Sequence, residues 1–458
     1  MNELLRDAAE RAAKYLDGLD ARAVAPNAQA VAALTALDVP LPSHGCEDAQ
    51  VLAELDRFGS PATMAMAGRR FFGFVIGGSL PATLAANWLA TAWDQNSALS
   101  NVTPSTARFE QVALRWLIEL FGLPSETGGA FVTGATVANF VALAAARHAV
   151  LARAGWSVEA DGLFGAPPIT VVVGEEAHAS LIKALGLLGL GRNRVVKVPV
   201  DDQGRMRADA LPDFELPAIV CTQAGNVNTG AIDPIGEICA RVRGRGAWVH
   251  VDGAFGLWAA ASKQFAKSMQ GVADADSWAT DAHKWLNVPY DSGLAFSRDA
   301  EAMRAAMAIT ADYLPTLSDV RNPSDYTPEL SRKARGVEVW AALRNLGRSG
   351  VTELVERNCR QARRFAEGLS GGGYRVLNDI ALNQVLVDFG GEATTRRVIA
   401  ALQAEGTCWC GGTVWQGTAA MRISVSSWAT TDADVEKSLD AMLRVAASCG
   451  AARYEDAR

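Results

Sequence analysis

Short apolar strands alternate with helical segments through the middle of this chain, and this alternation most constrains its fold. Apolar and β-branched runs occur at residues 130–133, 169–173, 195–198, 218–221, 247–251 and 277–280. Continuous apolar strands joined by helices are typical of a mainly parallel sheet that is covered on both faces. The pattern therefore predicts an α/β fold for this part of the chain.

Polar residues that could take part in catalysis or ligand binding follow five of these strands directly. They are Thr136, His178, Thr222, Asp252 and Lys284. The carboxyl ends of parallel strands meet at one edge of a sheet, and open α/β sheets bind their ligands there. We therefore expect these five side chains to contribute to one site.

Lys284 stands between His283 and Trp285. A lysine held against Trp285 and Leu286 is partly desolvated, which disfavours the ammonium and leaves an amine able to form a Schiff base. The alternative is a surface lysine whose aliphatic stem lies along the tryptophan. The sequence around Lys284 does not decide between the two. The other polar residues that follow strands favour a lysine that forms a Schiff base.

Asp252 has three possible roles from its position at a strand end: a helix N-cap, a metal ligand or the partner of a cationic ring nitrogen. No second acidic residue or histidine is spaced to help bind a metal, so we expect no metal site. An Asp that pairs with a pyridinium nitrogen and a Lys that forms a Schiff base are what pyridoxal phosphate requires. Gly134-Ala135-Thr136 opens a helix whose N–H groups can bind a phosphate, although such residues also serve as plain turn and cap residues.

His178 is flanked by small residues and can stack on one face of a pyridine ring, with Ala254 against the other face. The alternative is a core or helix-capping histidine. His44, His148 and His250 are interpreted as structural, in a loop, on a helix and within a strand.

With these motifs in place, the chain resembles the group II pyridoxal-phosphate-dependent decarboxylases over nearly its whole length from about Phe71. The resemblance implies an α/β, aspartate aminotransferase-like fold (fold type I), with a mainly parallel seven-stranded sheet and a smaller α+β C-terminal domain. It divides the chain into a helical segment at residues 1–80, a cofactor-binding domain at 81–335 and a small domain at 336–458. The cofactor implied is pyridoxal 5'-phosphate (PLP).

The resemblance also assigns roles to individual residues. The segment 133–139 corresponds to the phosphate-binding segment. The cofactor-binding residues implied are Gly134, Ala135, Thr136, His178, Thr222, Asp252, Ala254, Asp281, His283 and Lys284. The catalytic residues implied are Lys284, Tyr326, His178 and His283.

Tyr326 lies in a polar segment, residues 310–335, that resembles the mobile catalytic loop of the family. There a tyrosine supplied across the dimer interface protonates the substrate carbon after CO2 leaves, whereas members with Phe tend to form an aldehyde. The resemblance thus implies decarboxylation of an L-amino acid to the amine by a homodimer whose active site lies between subunits, with residues 1–80 at the interface.

Other functions remain open at this point. An aminotransferase or carbon–sulfur lyase would share the cofactor residues, and Arg422 is a candidate to grip a substrate carboxylate or a structural arginine. An aldehyde-forming decarboxylase and a catalytically inactive homologue are further alternatives. The sequence leaves the substrate side chain open, and we assign no chemistry to Cys408 or Cys410, for which a core or pocket-wall position is expected.

Composition excludes several partners. The net charge of −7 argues against nucleic acid and against an anionic membrane surface. The charge-free residues 71–93 contain Gly77-Gly78 and Pro81, so we predict a buried loop and a helix and not a membrane span. The N-terminus predicts a charged amphipathic helix and no signal peptide, and seven scattered cysteines predict reduced thiols and a cytoplasmic location.

Overall fold

The computed structural model describes residues 1–309 and 321–453. The described residues form these α-helices: α1 (Asn2–Asp17), α2 (Ala28–Ala33), α3 (Asp48–Glu54), α4 (Ser60–Ala62), α5 (Pro81–Trp93), α6 (Pro104–Phe121), α7 (Ala135–Arg153), α8 (Val158–Asp161), α9 (Ala179–Leu187), α10 (Ile235–Val242), α11 (Ala300–Met307), α12 (Arg335–Gly371), α13 (Glu392–Glu405) and α14 (Asp432–Ser448).

The large sheet confirms the predicted α/β fold. Its strands are β1 (Gly128–Val132), β2 (Thr170–Gly174), β3 (Val196–Val198), β4 (Ala218–Gln223), β5 (Trp248–Asp252), β6 (Ser277–Asp281) and β7 (Gly293–Ser297). They lie in the order β1-β7-β6-β5-β4-β2-β3. Strands β2 to β6 run parallel to one another, and β7 runs antiparallel to both β1 and β6. The sheet is therefore mainly parallel and has seven strands.

Helix α7 covers the middle of this sheet. It is rich in alanine, and twelve of its nineteen residues are buried. Small side chains let the helix backbone approach the strands closely, so α7 packs against β5, β6 and β7. By length and composition α7 alone among the described helices is apolar enough to cross a membrane, but most of it is buried against the sheet. Residues 71–93, in contrast, form a loop followed by α5.

Two compact units divide the chain, and their boundaries differ from the predicted ones. One unit contains residues 79–360 and 378–384, with the large sheet. The other contains residues 1–78, 361–377 and 385–458. The N-terminal segment therefore packs with the C-terminal domain, which sequence order alone does not indicate.

The second unit has a four-stranded sheet in the order β10-β11-β9-β8. Its strands are β8 (Arg375–Val376), β9 (Gln384–Asp388), β10 (Gly411–Trp415) and β11 (Thr418–Ser424). Arg70 ties the N-terminal segment to this unit through Thr407 O at 2.8 Å and Asp434 Oδ1 at 3.2 Å. Cys408 and Cys410 are fully buried here, as free thiols, and Arg422 lies on β11.

Candidate active site

The predicted site residues lie where parallel strands of the large sheet end. Thr222, Asp252 and Asp281 are in the last residues of β4, β5 and β6, which are neighbours in the sheet. All three are nearly inaccessible to solvent. The sheet therefore brings hydroxyl and carboxylate groups from distant parts of the sequence to one edge.

The N-terminus of α7 begins at the same edge. Gly134 precedes the helix, and the first intrahelical bond runs from Ala138 N to Gly134 O at 2.9 Å. The N–H groups of Thr136 and Val137 come before that bond, so the helix itself offers them no carbonyl. A helix start of this kind can bind a phosphate group.

Gly293, which sequence reasoning did not select, fixes the position of this helix start. A Cβ at Gly293 would lie 2.4 Å from the Cα of Gly134. The obstructing atoms are backbone, so no side-chain rotation can relieve the clash. Gly293 at the start of β7 is therefore required for the close approach of β7 to the α7 N-terminus.

Asp281 links the α7 N-terminus to the predicted attachment lysine. Its Oδ1 accepts a hydrogen bond from Ala135 N at 2.6 Å, and its Oδ2 lies 3.1 Å from Lys284 Nζ. Lys284 is therefore paired with a buried carboxylate, whereas the sequence had suggested only desolvation by Trp285. The N–H of Ala135 is thus bound by Asp281, and Gly134 and Thr136 are left as the predicted phosphate-binding residues.

His283 is held by three contacts. Its Nδ1 accepts from Ser292 N at 3.2 Å, and its Nε2 lies 3.5 Å from Asp281 Oδ1. Its ring stacks on Tyr290 with the centroids 4.2 Å apart. Burial lowers the pKa of His283 despite the neighbouring carboxylate. These contacts favour a neutral ring that carries its proton on Nε2. Tyr290 was also missed by the sequence analysis, although it lies only six residues after Lys284.

Asp252 carries the buried charge of the site. It is 2% exposed, and its two oxygens accept from Asn139 Nδ2 at 3.1 Å and Ala254 N at 3.2 Å. Burial raises the pKa of Asp252, while the charges of His178 and Lys284 lower it. Both groups therefore lie within electrostatic reach of this carboxylate, as the strand-end pattern predicted.

His178 caps helix α9, because its Nδ1 accepts from Ser180 N at 3.2 Å. The helix-capping interpretation therefore applies, and stacking on a cofactor ring stays a prediction. Thr222 donates its hydroxyl to His250 O at 3.1 Å. A small cavity is lined by Ala177, Thr222 and Asp252 among other residues, at the strand ends.

Asn139 corrects one part of the predicted phosphate segment. Its amide is fully buried and bonds both Asp252 and His250. Asn139 therefore serves the carboxylate and not a phosphate. The sequence analysis treated His250 as a structural strand residue, although its position two residues before Asp252 already placed both side chains on one face of β5.

Tyr326 lies in a different environment from the one predicted. It is the last residue of the short 3-10 helix Pro323–Tyr326 and is 9% exposed. Its side chain belongs to the apolar cluster that includes residues of α7 and α11. The guanidinium of Arg321 covers its ring at 4.2 Å from the centroid, and burial raises the pKa of its hydroxyl. Such a buried ring differs from a mobile loop tyrosine. Residues 310–320 of the predicted loop lie outside the described residues.

The residues present fit PLP. A buried carboxylate at a strand end suits a cationic ring nitrogen, and a lysine and a histidine lie within its electrostatic reach. A glycine-led helix start suits the phosphate. Among residues 1–309 and 321–453, the structure shows no group of three or more His, Cys, Asp and Glu side chains placed to hold a metal ion.

Comparisons with known proteins agree with this site. Residues 34–385 match the family described as the pyridoxal-dependent decarboxylase conserved domain. Tryptophan decarboxylase 1 of Oryza sativa subsp. japonica is 26% identical, over 92% of this chain and 89% of that protein. The L-2,4-diaminobutyrate decarboxylase of Rhizobium meliloti (strain 1021) is 28% identical, over 88% of this chain and 83% of that protein.

A solved structure, Oryza sativa TDC with PLP and tryptamine, has the same fold. It superimposes with a TM-score of 0.90 over 98% of this chain and 97% of that chain, at 22% sequence identity. The family match covers most of the chain. The chain therefore belongs to the pyridoxal-dependent decarboxylases and is a PLP-dependent amino acid decarboxylase.

Proposed function

We propose that the chain converts an L-amino acid to its amine and CO2 at a site formed by Lys284, Asp252, His178 and the N-terminus of α7. The observation that carries this assignment is the buried carboxylate of Asp252, within electrostatic reach of both Lys284 and His178. A buried anion without a compensating cation is costly. Lys284 is itself paired with Asp281, so a cationic ligand group would be the direct partner of Asp252.

Each residue has a distinct part in this proposal. PLP, when bound, supplies an electron sink for the charge that develops on the substrate carbon. Asp252 would hold the proton on the ring nitrogen, and Lys284 would provide the amine that attaches the cofactor. Asp281 orients that amine at 3.1 Å. The N–H groups of the first turn of α7 would hold the phosphate, and His178 would cover one face of the ring.

Thr222, Ala254 and His283 support the site in this proposal. Thr222 bonds to a backbone carbonyl of β5, which fixes the end of that strand. Ala254 donates its N–H to Asp252 and presents only a methyl group to a ring. His283, with a proton on Nε2, is placed to donate to Asp281 and so to steady the carboxylate that faces Lys284.

The test is product analysis across a panel of L-amino acids, with CO2, amine, aldehyde, ammonia and keto acid measured together. Wild type is expected to release CO2 and amine in equal amounts. Lys284→Ala is expected to lose this activity, and Lys267→Ala, which removes an exposed lysine, is the matched control. Keto acid without CO2 would identify an aminotransferase instead, and aldehyde with ammonia an oxidative decarboxylase.

A homodimer is the second part of the proposal. Within the described chain, helices α1, α2 and α3 contain no buried residue. Val39 is 65% exposed and Leu41 is 96% exposed, and an apolar surface of this kind favours association. We propose that two copies pair through residues 1–80, that the active site lies between them, and that the enzyme is cytoplasmic. Light scattering of wild type should give the mass of a dimer. The Val39→Glu/Leu41→Glu double variant should shift the equilibrium toward the monomer. A fully active monomer would refute the pairing.

A further inference from the structure

A continuous chain of buried hydrogen bonds leads away from Asp252 into the protein. Trp248 Nε1 donates to Ser277 Oγ at 2.8 Å, and Ser277 Oγ lies 2.9 Å from His250 Nδ1. His250 Nε2 lies 2.8 Å from Asn139 Oδ1, and Asn139 Nδ2 donates to Asp252 at 3.1 Å. All five side chains are at most 2% exposed.

The fold explains how this chain of bonds forms. Trp248, His250 and Asp252 alternate along β5, so their side chains lie on the same face of the sheet. Ser277 is the register partner of His250 on the parallel strand β6. Helix α7 packs over this face and supplies Asn139.

The direction of the chain is set where Asn139 donates to Asp252. The indole of Trp248 can only donate and uses one lone pair of Ser277 Oγ. At the other end Asn139 Nδ2 donates to Asp252, so the amide oxygen of Asn139 has to accept from Nε2 of His250. The ring of His250 then carries its proton on Nε2 and donates to the amide oxygen of Asn139. The NH2 group of the same amide is turned toward Asp252.

We propose that these four residues, the β5 relay (Trp248, Ser277, His250 and Asn139), are positioning residues that hold Asp252 as an ionised acceptor for the ring nitrogen of PLP. The reverse direction would turn the Asn139 carbonyl toward the carboxylate, and two acceptors would then repel each other. The relay thus opposes the effect of burial, which by itself favours a protonated Asp252. This inference rests on the cofactor site proposed above.

The charge state of His250 agrees with the geometry. Burial lowers the pKa of His250 to about 3, so the ring is neutral at physiological pH. A neutral ring has one donor and one acceptor nitrogen, as the direction of the relay requires. An imidazolium would donate from both nitrogens, and the proton of Ser277 would lose its acceptor.

The test compares two ligands, PLP and an analogue in which carbon replaces the ring nitrogen. Dissociation constants are measured by equilibrium dialysis, which requires no turnover. Asn139→Leu removes the donor to Asp252, and we expect roughly tenfold weaker binding of PLP with unchanged binding of the analogue, which has no ring nitrogen. Trp248→Phe removes the donor that holds Ser277 Oγ in place beside His250, and we expect between about two- and tenfold weaker binding of PLP alone.

Trp278→Phe is the matched control, because Trp278 is equally buried and its Nε1 bonds Val272 O at 2.8 Å, outside the relay. It is expected to affect both ligands equally or not at all. If Asn139→Leu does not fold, Trp248→Phe against this control still decides the question. Equal effects of Trp248→Phe on PLP and the analogue, or no effect, would overturn the relay. A wild-type protein that binds neither ligand would instead refute the cofactor site itself.

Discussion

Glu110 on α6 binds the C-terminal part of the predicted loop, residues 321–335, through two arginines. Glu110→Gln is expected to make this segment open more easily. The carboxylate lies 2.8 Å from Arg332 Nη1 and 3.4 Å from Arg321 Nη1. The side chains of Arg332 and Glu110 are 0% and 1% exposed. Water therefore cannot replace the lost anion, and removing one partner of a buried ion pair costs about 3–5 kcal/mol.

The lower end of that range applies here. Glutamine keeps one oxygen that can accept a hydrogen bond, and Arg332 also donates to Ser97 O at 2.9 Å and Phe131 O at 2.7 Å. We therefore expect a loss of about 3 kcal/mol in the free energy of local opening. The control is Glu119→Gln on the same helix, whose pair with Arg348 is exposed and contributes less than about 1 kcal/mol.

Hydrogen exchange followed by mass spectrometry measures this opening directly for peptides within residues 321–335. A loss of about 3 kcal/mol corresponds to exchange that is roughly a hundredfold faster. Global unfolding is less informative, because the chain has two compact units and need not unfold in one step. Equal exchange in Glu110→Gln and Glu119→Gln would show that the buried pair does not hold this segment.

Three further predictions follow from single contacts. Gly293→Ala is expected to weaken PLP binding at least about tenfold, because the added methyl group displaces the α7 N-terminus. Gly45→Ala is the control, since Gly45 has open space around it. Equal dissociation constants for the two variants would contradict the role of the close approach of Gly293 to Gly134. Burial lowers the folded-state pKa of His250 to about 3, so the stability that His250 contributes is complete above about pH 6.5 and is progressively lost as the pH falls toward 3. Between pH 7 and 4, the unfolding free energy of wild type should therefore fall by about 3 kcal/mol more than that of His250→Phe. Parallel pH profiles of the two proteins would argue against a buried neutral His250. Tyr326→Phe is expected to leave the yields of CO2 and amine unchanged, since its ring is packed in the core; a shift to aldehyde in this variant would restore Tyr326 as the proton donor.

The sequence by itself determined the fold class and the main residues of the site. The apolar strand runs predicted six of the seven strands of the large sheet. Parallel strands place their carboxyl ends together, so residues that follow strands could be assigned to one site without coordinates. Lys284, Asp252 and His178 were predicted in this way.

Only the tertiary structure decided which side chains support those residues. Asn139 and Ser277 reach His250 because α7 and β6 pack beside β5, and no local pattern encodes that contact. The burial of Tyr326 and the close approach of Gly293 to the α7 N-terminus likewise depend on segments far apart in sequence. Periodicity and turn residues report the local conformation of the chain, whereas hydrogen-bond partners and packing depend on how distant elements meet in the folded protein.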